Sequence, residues 1–87
     1  PNPFNPSTTF SYHLKDNSDV VLDVFDSRGR LVNSVVVGSQ ASGAHQVEWR
    51  AVNDAGNPLP SGLYFAKLHI MNKQGQHLLT RKLMLLR

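Results

Sequence analysis

The chain contains no cysteine. It therefore has neither disulfide staples nor thiolate metal ligands. No apolar stretch approaches the ~20 residues that a helix needs to cross a bilayer, and no secretory leader is legible. No segment sustains a 3.6-residue apolar period, so essentially no helix is expected. Acid is missing from the last third. Residues 55–87 hold five cations (Lys67, Lys73, Arg81, Lys82 and Arg87) and no Asp or Glu. The preceding 54 positions hold six acids against four cations, a net −2. An ordinary solvated face produces such asymmetry, and so does a surface that meets an anionic partner. Five scattered cations with no aromatic stacking platform argue against nucleic acid.

What the chain does have is β pattern. Its 87 residues suit one domain, which buries roughly 60–65% of its unfolded surface. Phe10, Tyr12 and Leu14 alternate with Ser11, His13 and Lys15, the period-2 signature of a half-buried strand. Val20, Leu22 and Val24 repeat it. Ser27-Arg28-Gly29-Arg30 reads as a turn, and Leu31 to Val37, rich in β-branched residues, as a third strand. Gly38 to Gly43 reads as a loop. Val47 and Trp49 share one face of a fourth strand. Asn53 to Gly62, with two prolines, reads as loop. Tyr64, Ala66, Leu68 and Ile70 alternate with Lys67 and His69, and Asn72 to Gly75 turns the chain into a last strand. That strand is expected to run to Arg87. These segments predict an all-β antiparallel sandwich of about seven strands. Residues 1–7, with three prolines, are expected to be a linker end or incoming strand pinned by Phe4, and residues 8–87 the sandwich. Because the first residue is Pro1, the chain is expected to be a piece of a longer protein with any targeting signal upstream.

The chemistry-bearing residues are sparse. No serine sits in a Gly-x-Ser-x-Gly elbow, and sequence alone does not exclude a dispersed triad. Asp23 and Asp26 are expected to be solvated at a strand end. His13, His45, His69 and His77 have no metal-ligand spacing, so exposed strand histidines are expected and no metal or cofactor. Asn53-Asp-Ala-Gly-Asn57 lacks the rhythm of a calcium loop and reads as a tight turn. Trp49 shares a face with Val47, which favours the core over a sugar-stacking platform. Tyr64 is expected to bury its ring and send its hydroxyl to a partner at the rim.

The last strand poses its own problem. Leu83, Met84, Leu85 and Leu86 alternate between faces, so one pair is expected to lie outside the core. Exposed apolar edges invite strand pairing, including a weak homodimer through this strand.

Several landmarks, in order, carry a resemblance. Pro1-Asn-Pro-Phe-Asn-Pro-Ser-Thr-Thr9 resembles the opening of the C-terminal sorting domains of the bacterial type IX (Por) secretion system. Those domains are similar to the immunoglobulin-like domain of the flagellar hook-capping protein. Asp26-Ser-Arg-Gly29 fits the family's turn, and Gly43-Ala-His-Gln-Val-Glu-Trp49 its tryptophan strand. Gly56-Asn-Pro-Leu-Pro-Ser-Gly-Leu-Tyr-Phe65 and Arg81-Lys-Leu-Met-Leu-Leu86 complete the set. Trp49-Arg50-Ala51 departs from the family's Trp-Asp/Asn-Gly.

The resemblance implies an immunoglobulin-like fold and a passive transport signal without catalysis. A parent cargo protein would cross the inner membrane and be recognised in the periplasm by the outer-membrane type IX translocon. A surface sorting peptidase would then act on it, leaving it at the cell surface or in the medium. The expected recognition residues are Lys82, Leu83, Met84, Leu85, Leu86 and Arg87, supported by Ser61, Gly62, Leu63 and Tyr64. The alternatives are an Ig-like structural spacer retained in an extracellular protein and a carbohydrate-binding module.

Overall fold

The computed structural model describes residues 6–87. The expected pin at Phe4 lies outside them. Six strands account for the architecture: β1 (Ser7–Leu14), β2 (Ser18–Asp26), β3 (Leu31–Gln40), β4 (Gly43–Arg50), β5 (Gly62–Asn72) and β6 (Gly75–Leu85). All pairings are antiparallel. A two-stranded sheet, β1-β4, packs on a four-stranded sheet of order β3-β2-β5-β6.

The core follows from the alternation in the sequence. Phe10, Tyr12 and Leu14 of β1 and Trp49 of β4 face Val20, Leu22 and Val24 of β2 and Tyr64, Ala66, Leu68 and Ile70 of β5. Val20, Leu22, Val24 and Leu68, in the two middle strands, lose essentially all solvent contact. Each such side chain stabilises the sandwich by about 1.5–3 kcal/mol.

Among the described residues the sandwich has six strands, where about seven were expected. The stretch between β4 and β5 forms only a single bridge, Val52 with Pro58. Pro58 and Pro60 cannot donate to a ladder, so no further strand grows there. Asn53 folds this stretch back on itself, its Oδ1 accepting from the amides of Ala55 (3.0 Å) and Asn57 (2.9 Å).

Two boundaries also move. The expected loop at Gly38 is strand: β3 continues to Gln40 through a bulge in which Val20 pairs with Gly38 and Val21 with Val36. Gly38 takes φ +101°, which a side-chain-bearing residue rarely adopts. The connection to β4 is thereby reduced to Ala41 and Ser42. The last strand stops at Leu85, so Leu86 and Arg87 leave the ladder.

Candidate recognition surface at the end of the last strand

The two segments singled out for recognition are partners in one ladder. Gly62 pairs with Leu85, Leu63 with Met84, Tyr64 with Leu83 and Phe65 with Lys82. Ser61, just before β5, accepts a hydrogen bond at Oγ from the Arg87 amide at 3.0 Å. Residues separated by about twenty positions in the chain thus form one corner of the molecule.

Within that corner the apolar run divides by face. Leu85 is 5% exposed and belongs to the core, and Leu83 packs partly against it. Met84 is 60% exposed and Leu86 76%. The alternation required one pair outside, and Met84 and Leu86 are that pair.

Arg87 anchors the end of the chain. Its Nε donates to the Leu59 carbonyl and its Nη2 to the Ala51 carbonyl at 3.1 Å. Peptide oxygens of the proline-bearing loop are thus satisfied by the fixed fork of a guanidinium. Tyr64 holds the same loop, its hydroxyl donating to the Pro60 carbonyl at 2.7 Å. Burial lifts the Tyr64 hydroxyl above the usual tyrosine pKa, the Asp26 carboxylate lifts it further, and Arg87 opposes both. A cleft of about 270 Å³ opens beside the corner, lined by Pro6 and Ser7 near the start of β1, by Trp49 and Ala51, and by Leu83 to Leu86.

The remaining polar residues build structure. Trp49 is 2% exposed, and its Nε1 donates to Asn33 Oδ1 at 2.7 Å. Asn33 Nδ2 donates to Asp54 Oδ1 at 2.9 Å. Asp54 also accepts from the Ser34 amide at 2.9 Å, and its own amide donates to the Val32 carbonyl at 3.2 Å. This network ties β4, β3 and the proline-bearing loop together. Sequence reasoning placed Trp49 in the core but missed Asn33 as its partner. An Asn among the β-branched residues of β3 was the available signal, since a buried amide needs satisfied hydrogen bonds.

Asp26 is engaged rather than freely solvated. Its carboxylate accepts from the Arg28 amide (2.9 Å), the Arg30 amide (3.0 Å) and Arg30 Nε (3.0 Å). Chiefly because of the Arg30 amide, its pKa is held below the usual aspartate value. Asp23 also has partners, since Ser34 Oγ donates to it at 2.6 Å and His69 Nε2 lies 3.2 Å away. The serine bonds the carboxylate and not the imidazole, so this Ser–Asp–His group lacks the base-to-hydroxyl contact of a nucleophilic triad. His13 and His69 stand on different sheets. Among the described residues, no three His, Asp or Glu side chains converge to hold a metal.

With this geometry in place, comparison with known proteins decides the family. Residues 5–74 match the FlgD Ig-like domain. The chain belongs to the FlgD Ig-like domain family. Among curated proteins no sequence matches it. Among solved structures, FlgD from P. aeruginosa superposes with a TM-score of 0.78 at 26% identity, over 91% of this chain and 62% of that one. FlgD from Xanthomonas campestris shares the fold, with a TM-score of 0.69 at 20% identity over 90% of this chain and 54% of that one. The chain therefore spans less than two thirds of either FlgD protein. PorU from Porphyromonas gingivalis has a TM-score of 0.71 at 25% identity, covering 97% of this chain and 8% of that one.

Membership of the FlgD Ig-like family makes this a structural domain type. The matched span stops at residue 74, one position before β6 begins. The last strand, where the candidate surface lies, is thus outside the matched span.

Proposed function

We propose that this domain is a non-catalytic sorting signal that directs a larger bacterial protein through the type IX secretion system to the cell surface or medium. The observation that carries the reading is the division of the chain's last residues, the end of β6 and the two positions after it, into two parts. Leu85 and Arg87 fasten the strand to the fold, while Lys82, Met84 and Leu86 remain exposed. A folded address needs both an anchor and a display. The likeness to PorU supports the reading, as do the landmarks shared with the sorting domains.

The geometry dictates the test. Deleting Leu83–Arg87 would remove Leu85 from the core and Arg87 from its carbonyls, which confounds folding with recognition. Lys82→Glu, Met84→Ser and Leu86→Ser combined alter only exposed side chains. The expected outcome is a folded domain whose parent protein stays in the periplasm. Normal secretion of that triple variant would sink the proposal.

The likeness to FlgD favours a second reading, an Ig-like spacer or assembly module. The Xanthomonas FlgD is described as a hook-capping protein essential for flagellar assembly. Intact mass of the secreted parent protein separates the two: a spacer stays in the mature chain, and a sorting domain removed on arrival does not.

A further inference from the structure

Among the described residues, the β6 strand is an edge of the four-stranded sheet and pairs only with β5. Its register with β5 runs unbroken from Asn72–Gly75 to Gly62–Leu85, without a bulge. The two-residue turn makes Asn72 and Gly75 a hydrogen-bonded pair, and bonded pairs recur at every second residue. The backbone groups of Gly75, His77, Leu79, Arg81, Leu83 and Leu85 therefore face β5. Those of Gln76, Leu78, Thr80, Lys82 and Met84 face away, along a free edge that carries no proline. Among the described residues, no backbone hydrogen bond from elsewhere reaches this edge. Leu78 and Met84 flank it with exposed apolar side chains.

We infer that this edge accepts an extended, acidic and aliphatic strand from a partner protein, which adds to the sheet beside β6. Charge selects the occupant. Arg81 and Lys82 are adjacent, so they project from opposite faces of the strand, and both are exposed. A guest strand carrying two adjacent carboxylates places one beside each cation, with apolar residues beside Leu78 and Met84. A second copy of β6 fits poorly. In a fully overlapping antiparallel pair, the two Arg81–Lys82 pairs lie within two positions of each other, and residues 55–87 supply no acid to neutralise them. Edge cations deter self-pairing without deterring a strand of opposite charge. Backbone bonds then supply affinity and the acidic pair supplies choice. The inference names the chemistry of the partner and rests on the reading of β6 as a recognition element.

The 87-residue chain, labelled for amide NMR, is titrated with the blocked octapeptide Val-Thr-Val-Glu-Glu-Val-Thr-Val and with its Lys-for-Glu counterpart. In the free protein, the Leu78, Thr80, Lys82 and Met84 amides are expected to exchange rapidly and those of Leu79 and Arg81 slowly. The acidic peptide is expected to shift β6 resonances and slow the four outward amides. The lysine peptide should bind about tenfold more weakly at low ionic strength, a difference that salt erases. Arg81→Glu with Lys82→Glu should reverse the preference. Thr80→Pro removes an outward amide without breaking the β5 ladder and should abolish binding. If that variant does not fold, the charge reversal decides alone. Equal binding of the two peptides, no saturable binding of either, or shifts mapping to another face would overturn the inference. So would concentration-dependent β6 shifts without peptide, which would assign the edge to a second copy. A parent protein that depends on Lys82, Met84 and Leu86 for secretion while its domain binds neither peptide would keep the sorting reading and remove strand addition.

Discussion

The two edges of the large sheet are finished differently. The β3 edge is covered at its start, where Asp54 engages the Ser34 amide and the Val32 carbonyl, and register shifts interrupt the β2–β3 ladder at Val20/Val21 and Val24/Phe25. The β6 edge keeps its register along its whole length and, among the described residues, carries no such cover. Edge strands attract pairing, and covering loops and bulges suppress it. One sheet thus contains a partly covered, bulged edge and a regular one, and the regular one belongs to the strand with the exposed Lys82 and Met84. The covered edge and the candidate surface thus lie on opposite sides of a single sheet.

This contrast can be broken at graded cost. The largest effect is expected from Leu85→Ala, which empties a core position at the end of β6 and should cost about 3 kcal/mol in denaturant unfolding. Asn33→Ala follows. It orphans the buried Trp49 indole N–H and removes a donor to Asp54, for about 2 kcal/mol, with a change in tryptophan fluorescence as an independent readout. Asp54→Ala uncovers the start of the β3 edge and should cost about 1 kcal/mol. Its sharper signature is faster hydrogen exchange at the Ser34 amide, which would make β3 resemble β6. Met84→Ser on the regular edge should change stability by no more than about 0.5 kcal/mol. A larger loss there would mean that the edge is structural after all.

The turn before β3 adds a pH-dependent test. Asp26 has a depressed folded pKa, so its contribution is present above the unfolded value of about 3.9 and is lost as pH falls through the lower folded value. Titration of the Asp26 carboxyl by NMR should give a midpoint below that of an unstructured aspartate. Asp26→Asn should destabilise the domain at neutral pH and flatten its stability between pH 5 and the acid limit. A normal midpoint would mean that the turn does not hold the carboxylate.

Much of the fold was legible because strand alternation is a local signal. Phe10, Tyr12 and Leu14, Val20, Leu22 and Val24, and Tyr64, Ala66, Leu68 and Ile70 all point inward as the period of two requires. The turn at Asn53, the buried ring of Trp49 and the rim partner of Tyr64 were likewise readable. Gly38 misled because a bulge glycine and a loop glycine look alike until the partner strand is present. Asp23 and Asp26 misled because their partners, Ser34, His69 and the Arg28–Arg30 turn, are set by geometry. The candidate surface was legible only in pieces. Nothing local joins Ser61 to Arg87.

The alternation of apolar and polar residues by itself determined that this chain is an antiparallel β-sandwich. It also determined that Leu83 to Leu86 could not all be buried, because successive side chains of a strand must point to opposite faces. The sequence likewise carried the acid-free last third. Only the tertiary structure decided which strand would stand at an edge, which edge would be partly covered by Asp54, and that Arg87 would reach the carbonyls of Ala51 and Leu59. Those outcomes depend on contacts between residues far apart in the chain. Such contacts exist only once the two sheets have closed over a common core.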